Sequence, residues 1–349
     1  MPPSRRGALA FSAVAALLAI FPFFGSPYFV TRIFAPSFFL GIAALSLAFL
    51  AGHGGMVSLA QMTVFGLAGY GVGILTVVHQ LPWWLGALAG ICGATLAAFI
   101  FGLIAVRTQG VYFLMITLAL GMLIFYLANQ NRSIFGGHTG INGIRAPVVF
   151  GHALSEAVPF YYLCLATAAA CFGSVRYLLR APFGLALQGV RDNQRRMTAL
   201  GYRVQAHRVA AFTLAGLIAS VGGVLGVWYN GAISPAYIDL TRIINILVIA
   251  VIGGLTFPEG AFLGALVFVL LTNLASSYTD RYNTVIGLTF LIIVLLSPEG
   301  LTGIVARASR LVRWAWPASS PQARGGINGR GNEQGGLGAS GRDVAEKRF

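Results

Sequence analysis

Charge is what this sequence has least of. Only 9% of its 349 residues are Asp, Glu, Lys or Arg, against about a quarter in an ordinary soluble domain. Between Ile33 and Val106 there is none at all. One bilayer-crossing helix needs about 20 apolar residues, so that stretch alone crosses a membrane repeatedly and a water-soluble fold is excluded. Lysine is scarcer still, with Lys347 the single example. A phosphate-cradling Walker A loop and a Schiff-base lysine inside the bundle are excluded with it. The nine acidic residues, Glu156, Asp192, Asp239, Glu259, Asp280, Glu299, Glu333, Asp343 and Glu346, fall in loops, near span ends or in the tail. The ionisable group at membrane depth on which proton-coupled carriers generally rely is therefore missing. Cys92, Cys164 and Cys171 lie in apolar runs without metal-binding spacing and read as small packing residues. No HExxH, no GxSxG and no pair of intramembrane aspartates supplies a hydrolase centre.

What is present is apolar sequence, 57% of the chain, cut into spans by arginines and turn residues. The spans run roughly over Ala8–Phe24, Ile33–Ala51, Met56–Val78, Trp83–Val106, Val111–Asn129, Ala157–Val175, Val209–Tyr229, Ile243–Leu255, Ala261–Ser277 and Asn283–Ile304. This is an all-α polytopic membrane protein of about ten transmembrane helices. The first span, after Arg5 and Arg6, reads as an uncleaved helix, because no small-residue cleavage site follows it. With the N-terminus inside, the inner loops hold Arg5, Arg6, Arg107, Arg176, Arg180, Arg191, Arg195, Arg196, Arg203, Arg208, Arg307, Arg310 and Arg313, and the outer loops hold only Arg32, Arg132, Arg145, Arg242 and Arg281. That imbalance places both termini in the cytoplasm. The net charge of +14 then reflects topology and lipid phosphate contacts, and no nucleic acid partner is implied. His53 and His79, at span ends, read as interfacial polar residues.

Glycine is abundant. Gly69 with Gly73, Gly86 with Gly90 and Gly222 with Gly226 stand at the interval that lets helix backbones approach in lipid. Gly52, Gly54 and Gly55 precede the third span, and Gly253, Gly254, Pro258 and Gly260 follow the eighth. Each cluster fits either a broken or re-entrant helix around a cavity or a tight inter-helix turn. The outer loop from Gln130 to Glu156 carries a polar, Gly-rich stretch, Gly136 to Gly143, suited to the outer mouth or to a soluble partner. Residues 317–349, rich in Gly, Ser and Arg, read as a disordered basic cytoplasmic tail after a permease-type domain over 1–316.

With no coupling residue of its own at membrane depth, a transporter of this kind is passive or is driven by another protein. Sodium coupling through hydroxyls and backbone carbonyls stays open, since Na⁺ does not demand a carboxylate. The inner loop over about 180–208 bears on the choice. Pro182 suits a first helical position, Gly201 a C-terminal cap, and between them ALQGVRDNQRRMTALGYRV (Ala186 to Val204) spaces Leu187, Val190, Met197 and Leu200 as one basic amphipathic helix. Such a helix lies on the membrane surface or fits a groove on a cytoplasmic partner.

From about Leu40 to Ile304 the chain resembles the membrane subunits of branched-chain amino acid ABC importers of the LivM type. The resemblance is carried by GHGGMVSLAQMTVFGLAGYGVGIL (Gly52 to Leu75), RTQGVYFLMITLAL (Arg107 to Leu120), GGHTGINGI (Gly136 to Ile144), the RDN and ALG of the inner loop, SPAYIDL (Ser234 to Leu240), VIGG (Val251 to Gly254) and SPEGLTGI (Ser297 to Ile304), in that order. It implies a non-enzymatic permease of the bacterial inner membrane with no cofactor of its own. Its partners would be a second permease, two ATP-binding subunits that bind the ATP and a periplasmic or extracellular solute-binding protein, besides the solute and membrane lipid. Arg191, Asp192, Asn193, Arg195, Arg196 and Gly201 are then the residues expected to contact the ATPase. Ser58, Gln61, Thr63 and Thr117, neutral polar residues within or beside the matched motifs, are the expected translocation path, where hydroxyls, amides and helix ends satisfy a zwitterion without an ionised side chain. Each also fits a plain inter-helix hydrogen bond. Gln194, Arg195, Arg196 and Met197 depart from the acidic residue and alanines usual after the RDN, as do Ala60 and His138 from their motifs. Related permeases import urea or short amides, so those solutes stay open.

Overall fold

The structure, a computed structural model, describes residues 28–149, 156–278, 282–296 and 300–303, with 18, 21, 22, 26, 152 and 153. They belong to one compact unit running Met1–Ala308. Most of the expected first span Ala8–Phe24, the end of the last, and the tail 317–349 lie outside the described residues. The fold is all-α. The long helices are α1 (Phe29–Gly54), α2 (Gln61–Val78), α3 (Trp83–Ala105), α4 (Val111–Gln130) and α5 (Ala157–Arg180). The short α6 (Pro182–Asp192) and α7 (Gln194–Ala199) follow, then α8 (Val204–Asn230), α9 (Leu240–Gly253), α10 (Pro258–Tyr278) and α11 (Tyr282–Leu296). Among the described residues eight helices are long and apolar enough to cross a membrane.

Punctuation in the sequence sets the helix ends. Gly55, at φ 64°, ends α1 in the left-handed conformation while the Met56 amide donates to the Leu50 carbonyl at 3.1 Å. Gly231, at φ 66°, does the same for α8. Pro182 opens α6 at a first-turn position where its missing N–H costs nothing. The most apolar window of α1 is 83% buried and that of α4 only 22%, so α1 is the axis of the bundle and α4 the least enclosed of the eight spans. Around α1 pack α8, α10 and α5, and α8 also covers α2 and α3. Small residues allow the closest approaches. Gly223 meets the Phe65 carbonyl, Gly216 the Ala98 side chain, and Gly71 the Gly90 Cα.

Two of the three expected glycine pairs face helices: Gly86 and Gly90 lie on α2, and Gly222 and Gly226 on Phe39 and Phe65. Gly69 and Gly73 instead receive Ile233. The loop after α8 folds over α2 along Gly66, Gly69 and Gly73, pairs Ile141 with Ile233 in a two-residue antiparallel ladder, and drops the buried Ile238 into the notch at Gly66.

The loops gather at two ends, as alternating spans require. At one end Arg191 reaches the Gly52 carbonyl, Arg176 pairs with Glu259 at 2.9 Å, Gln109 donates to Gln194 at 2.6 Å, and Arg208 donates to the carbonyls of Val106 at 2.9 Å and Thr108 at 3.1 Å. At the other end the 131–149 and 231–239 loops join, with Gly136, Gly137, Gly140 and Gly143 all at positive φ. A side chain on Gly140 would strike the Ile233 carbonyl. The GGHTGING run is thus a backbone requirement of that junction.

Candidate functional site

The two glycine clusters, each of which fits a break or a turn on sequence alone, divide between the two outcomes. After α9 the chain makes a tight turn, and Gly253 and Gly260 bring the two helices into backbone contact. After α1 it does not turn. Residues 56–60, expected inside the third span, run non-helically, with Met56, Ser58, Leu59 and Ala60 buried, before α2 starts at Gln61. Non-helical backbone at membrane depth survives only inside protein or along a cavity, and here side chains supply part of its hydrogen bonding. Thr117 Oγ1, on α4, accepts from the Leu59 amide at 3.1 Å, and Ser58 Oγ from the Ala60 amide at 3.2 Å.

All four expected path residues meet at this break. Ser58 and Thr63 are 0% exposed, Gln61 1% and Thr117 0%. Two more join them. Ser46 Oγ on α1, which donates to the Ala43 carbonyl at 2.6 Å, lies 3.3 Å from the Gln61 side-chain amide, and Gly121, one turn beyond Thr117, faces Thr63: a Cβ there would stand 2.8 Å from Thr63 Oγ1. Ser46 sits eight residues before the end of α1, which places the cluster about 12 Å in from that end at 1.5 Å per residue. The cluster holds no charge and is incompletely satisfied: Gln61 Nε2 and Thr63 Oγ1 are buried without a partner among the described residues. Ala60 offers α2 no side-chain cap, and the first-turn amides of Gln61, Met62 and Thr63 find no acceptor among the described residues either. Each unmet buried polar group costs about 1–3 kcal/mol, a sum that a purely structural hydrogen-bond role does not account for.

The inner loop departs from the single helix expected. Asn193 breaks it into α6 and α7 by turning extended, at φ −156°, and capping α7 through its side chain, which accepts from the Arg196 amide at 2.9 Å. Asn competes with helical backbone bonding in this way wherever it can cap instead. Leu187, Val190 and Met197 are buried as expected, with Met197 of α7 packed on Ala186 and Val190 of α6, but Leu200, past the end of α7, is 67% exposed. Gly201, at φ 87°, supplies the expected cap, with the Tyr202 amide donating to the Met197 carbonyl at 3.1 Å. Arg195, Arg196, Asp192 and Asn193 are exposed. Arg191 is not a free surface charge: it is bonded to the Gly52 carbonyl and to Asp192.

Sequence reasoning left out Arg208, read as a loop arginine in the topology count. It lies within α8, 4% exposed, and holds the α3–α4 turn through Val106 and Thr108 while its Nε approaches Met56 Sδ at 3.3 Å and its guanidinium the Phe113 ring at 5.8 Å. No short-range pattern distinguishes it from its neighbours. Ser46 and Gly121 carried a usable signal, a polar residue inside an apolar helix and a glycine four residues after Thr117.

Residues 29–296 match the family described as branched-chain amino acid transport system / permease component. The chain belongs to this family. The permease is 25% identical over 284 residues to the high-affinity branched-chain amino acid transport system permease protein LivM of Escherichia coli, covering 74% of this chain and 67% of that protein. It is 24% identical over 227 residues, 64% of this chain and 62% of the other, to the probable branched-chain amino acid transport permease protein LivM of Methanocaldococcus jannaschii. A shorter stretch of 136 residues, 36% of this chain and 42% of the other, is 31% identical to that organism's probable permease protein LivH. No solved structure matches. The family agrees with the multi-pass helical fold and with transport as the work of the chain.

Proposed function

We propose that this permease is one membrane-spanning subunit of an ATP-driven importer for branched-chain or other hydrophobic amino acids. Its ten spans lie in a bacterial inner membrane with both termini cytoplasmic, and a second permease, two ATPase subunits and a solute-binding protein complete the assembly. The observation that carries the reading is the direct connection between the two candidate regions. Arg191, on the exposed inner loop, grips the Gly52 carbonyl, and the buried 56–60 segment leads from there to the polar cluster. A displacement of α6 and α7 by an ATPase is transmitted through this grip to a buried stretch of backbone that is neither helix nor tight turn. Small shifts at an effector site become a two-state change in this way when the packed element between them is bistable.

The test is reconstitution of the permease in liposomes with and without its genomic neighbours. Uptake of labelled leucine that needs the ATPase subunits and ATP supports the proposal. Solute flux through the permease alone, indifferent to nucleotide and tied to a sodium gradient, overturns it.

A further inference from the structure

We propose that the break before α2 is a carboxylate-binding site, and that the permease therefore handles amino acids and not urea or neutral amides. The inference rests on the transport reading above and deepens it. Three observations converge. The N-terminus of α2 is buried, with the amides of Gln61, Met62 and Thr63 lacking acceptors among the described residues, so the positive end of an 18-residue helix faces protein and not water. Independently, two side-chain groups of that same turn, Gln61 Nε2 and Thr63 Oγ1, are more than nine-tenths buried and unpartnered. The Thr63 hydroxyl is able to donate, and the Gln61 side-chain amide carries both a donor and an acceptor at this turn. Finally, none of the acidic side chains among the described residues is buried, so no internal anion competes for these donors.

A neutral urea or amide presents both donors and acceptors and does not call for a site built of donors. A carboxylate presents acceptors only, and a helix N-terminus at membrane depth is suited to it without any ionised side chain. Its entry side is set by α4. That helix is the least enclosed of the eight spans, and it approaches Thr63 through Gly121, where a Cβ would stand 2.8 Å from the hydroxyl. Separation of α4 from α2 uncovers Thr63 and the first-turn amides together. In the structure described here the two helices are closed on one another.

The experiment measures binding, not transport, so its outcome is independent of ATP coupling. The purified full-length permease, co-purified with its partner permease where the pair is needed, is titrated with labelled leucine, and unlabelled leucine, leucinol, leucinamide and urea are used as competitors. The expected result is displacement by leucine, with leucinol, leucinamide and urea weaker by at least tenfold. Thr63→Val and Gln61→Leu each weaken leucine by about tenfold while keeping the wild-type elution volume and melting temperature, and Thr63→Ser retains binding. Leucinol or urea competing as well as leucine overturns the inference, as does wild-type affinity in Thr63→Val, or no leucine binding at all. If leucine binds as expected but reconstituted uptake ignores ATP, the site stands and the ATP-driven reading falls.

Discussion

The two glycine-rich breaks, which meet at one end of the bundle, have similar composition and opposite outcomes. At 253–260 the chain turns in a few residues, Pro258 restarts the next helix at once, and Gly253, Gly260 and Gly264 place α9 against α10 with backbone touching backbone. Thr302 adds a hydroxyl to the Gly253 carbonyl at 2.8 Å. At 52–60 the helix ends on Gly55 and the chain then travels through the interior, bonded by Ser58 and Thr117 and leaving Gln61 and Thr63 short of partners. Glycine content does not decide between these outcomes. At 52–60 the hydroxyls of Ser58 and Thr117 replace backbone bonds that the break removes, whereas at 253–260 the close approach of Gly253, Gly260 and Gly264 keeps the turn short. The first break is built as a joint and the second as a clamp.

That contrast predicts its largest effect at the clamp. Gly253→Val would drive a branched side chain into the Gly260 carbonyl, where neither helix backbone can yield. Overpacking of this kind belongs with the rare changes that exceed about 4 kcal/mol. The expected outcome is loss of nearly all monodisperse protein on size exclusion after detergent extraction. Recovery of wild-type yield would show that the 253–260 break is as adjustable as the other.

At the joint the effects are intermediate and separable from folding. Thr117→Val keeps the shape but removes the acceptor of the Leu59 amide, which leaves a buried N–H unmet at a cost of about 1–3 kcal/mol. A lowered melting temperature is expected, largely restored by Thr117→Ser. Gly55→Ala forces a Cβ into a left-handed conformation, at about 1–2 kcal/mol, and against Arg191 Cγ at 2.8 Å. Both changes act on the same link, so Gly55→Ala and Arg191→Ala should each lower ATP-dependent uptake by at least tenfold while ATP hydrolysis by the assembly persists. The pair combined should do no more than either alone, because residues that share one contact are not additive. Additive losses would place Arg191 in a role apart from its grip on Gly52.

How much of this was legible from the sequence follows from the range of the interactions. The all-α fold and the course of most described spans were legible because hydropathy is local, but the third span, expected from Met56, starts only at Gln61. The convergence of Ser58, Gln61, Thr63 and Thr117 was anticipated only as a choice of neutral polar residues in matched motifs, and the structure brings all four to one break. The division of the inner loop at Asn193 was within reach, since Asp-Asn before a basic run is a helix-start signal. Arg208 was not. Its partners lie about 100 residues away at Val106 and Thr108, and from sequence it is one more arginine at a span end. The same holds for the unequal glycine breaks, whose outcome depends on Thr117 in one and on the facing Gly260 and Gly264 in the other.

The smallest expected effect lies beside the clamp, in the ion pair between Arg176 and Glu259. The two are 2.9 Å apart, with side chains 42% and 45% exposed, so water screens both, and holding two long side chains in one geometry costs entropy. Exposed pairs of this type contribute about 0–1 kcal/mol. Glu259→Gln should therefore shift the melting temperature by a degree or two at most in low salt, and by nothing measurable once salt shortens the screening length to a few ångströms. If the clamp derived its rigidity from this charge pair, the shift would be large and would fade with salt. If rigidity comes from the backbone contact of Gly253 with Gly260, as the geometry indicates, neutralising the carboxylate leaves the inner end closed and uptake unchanged.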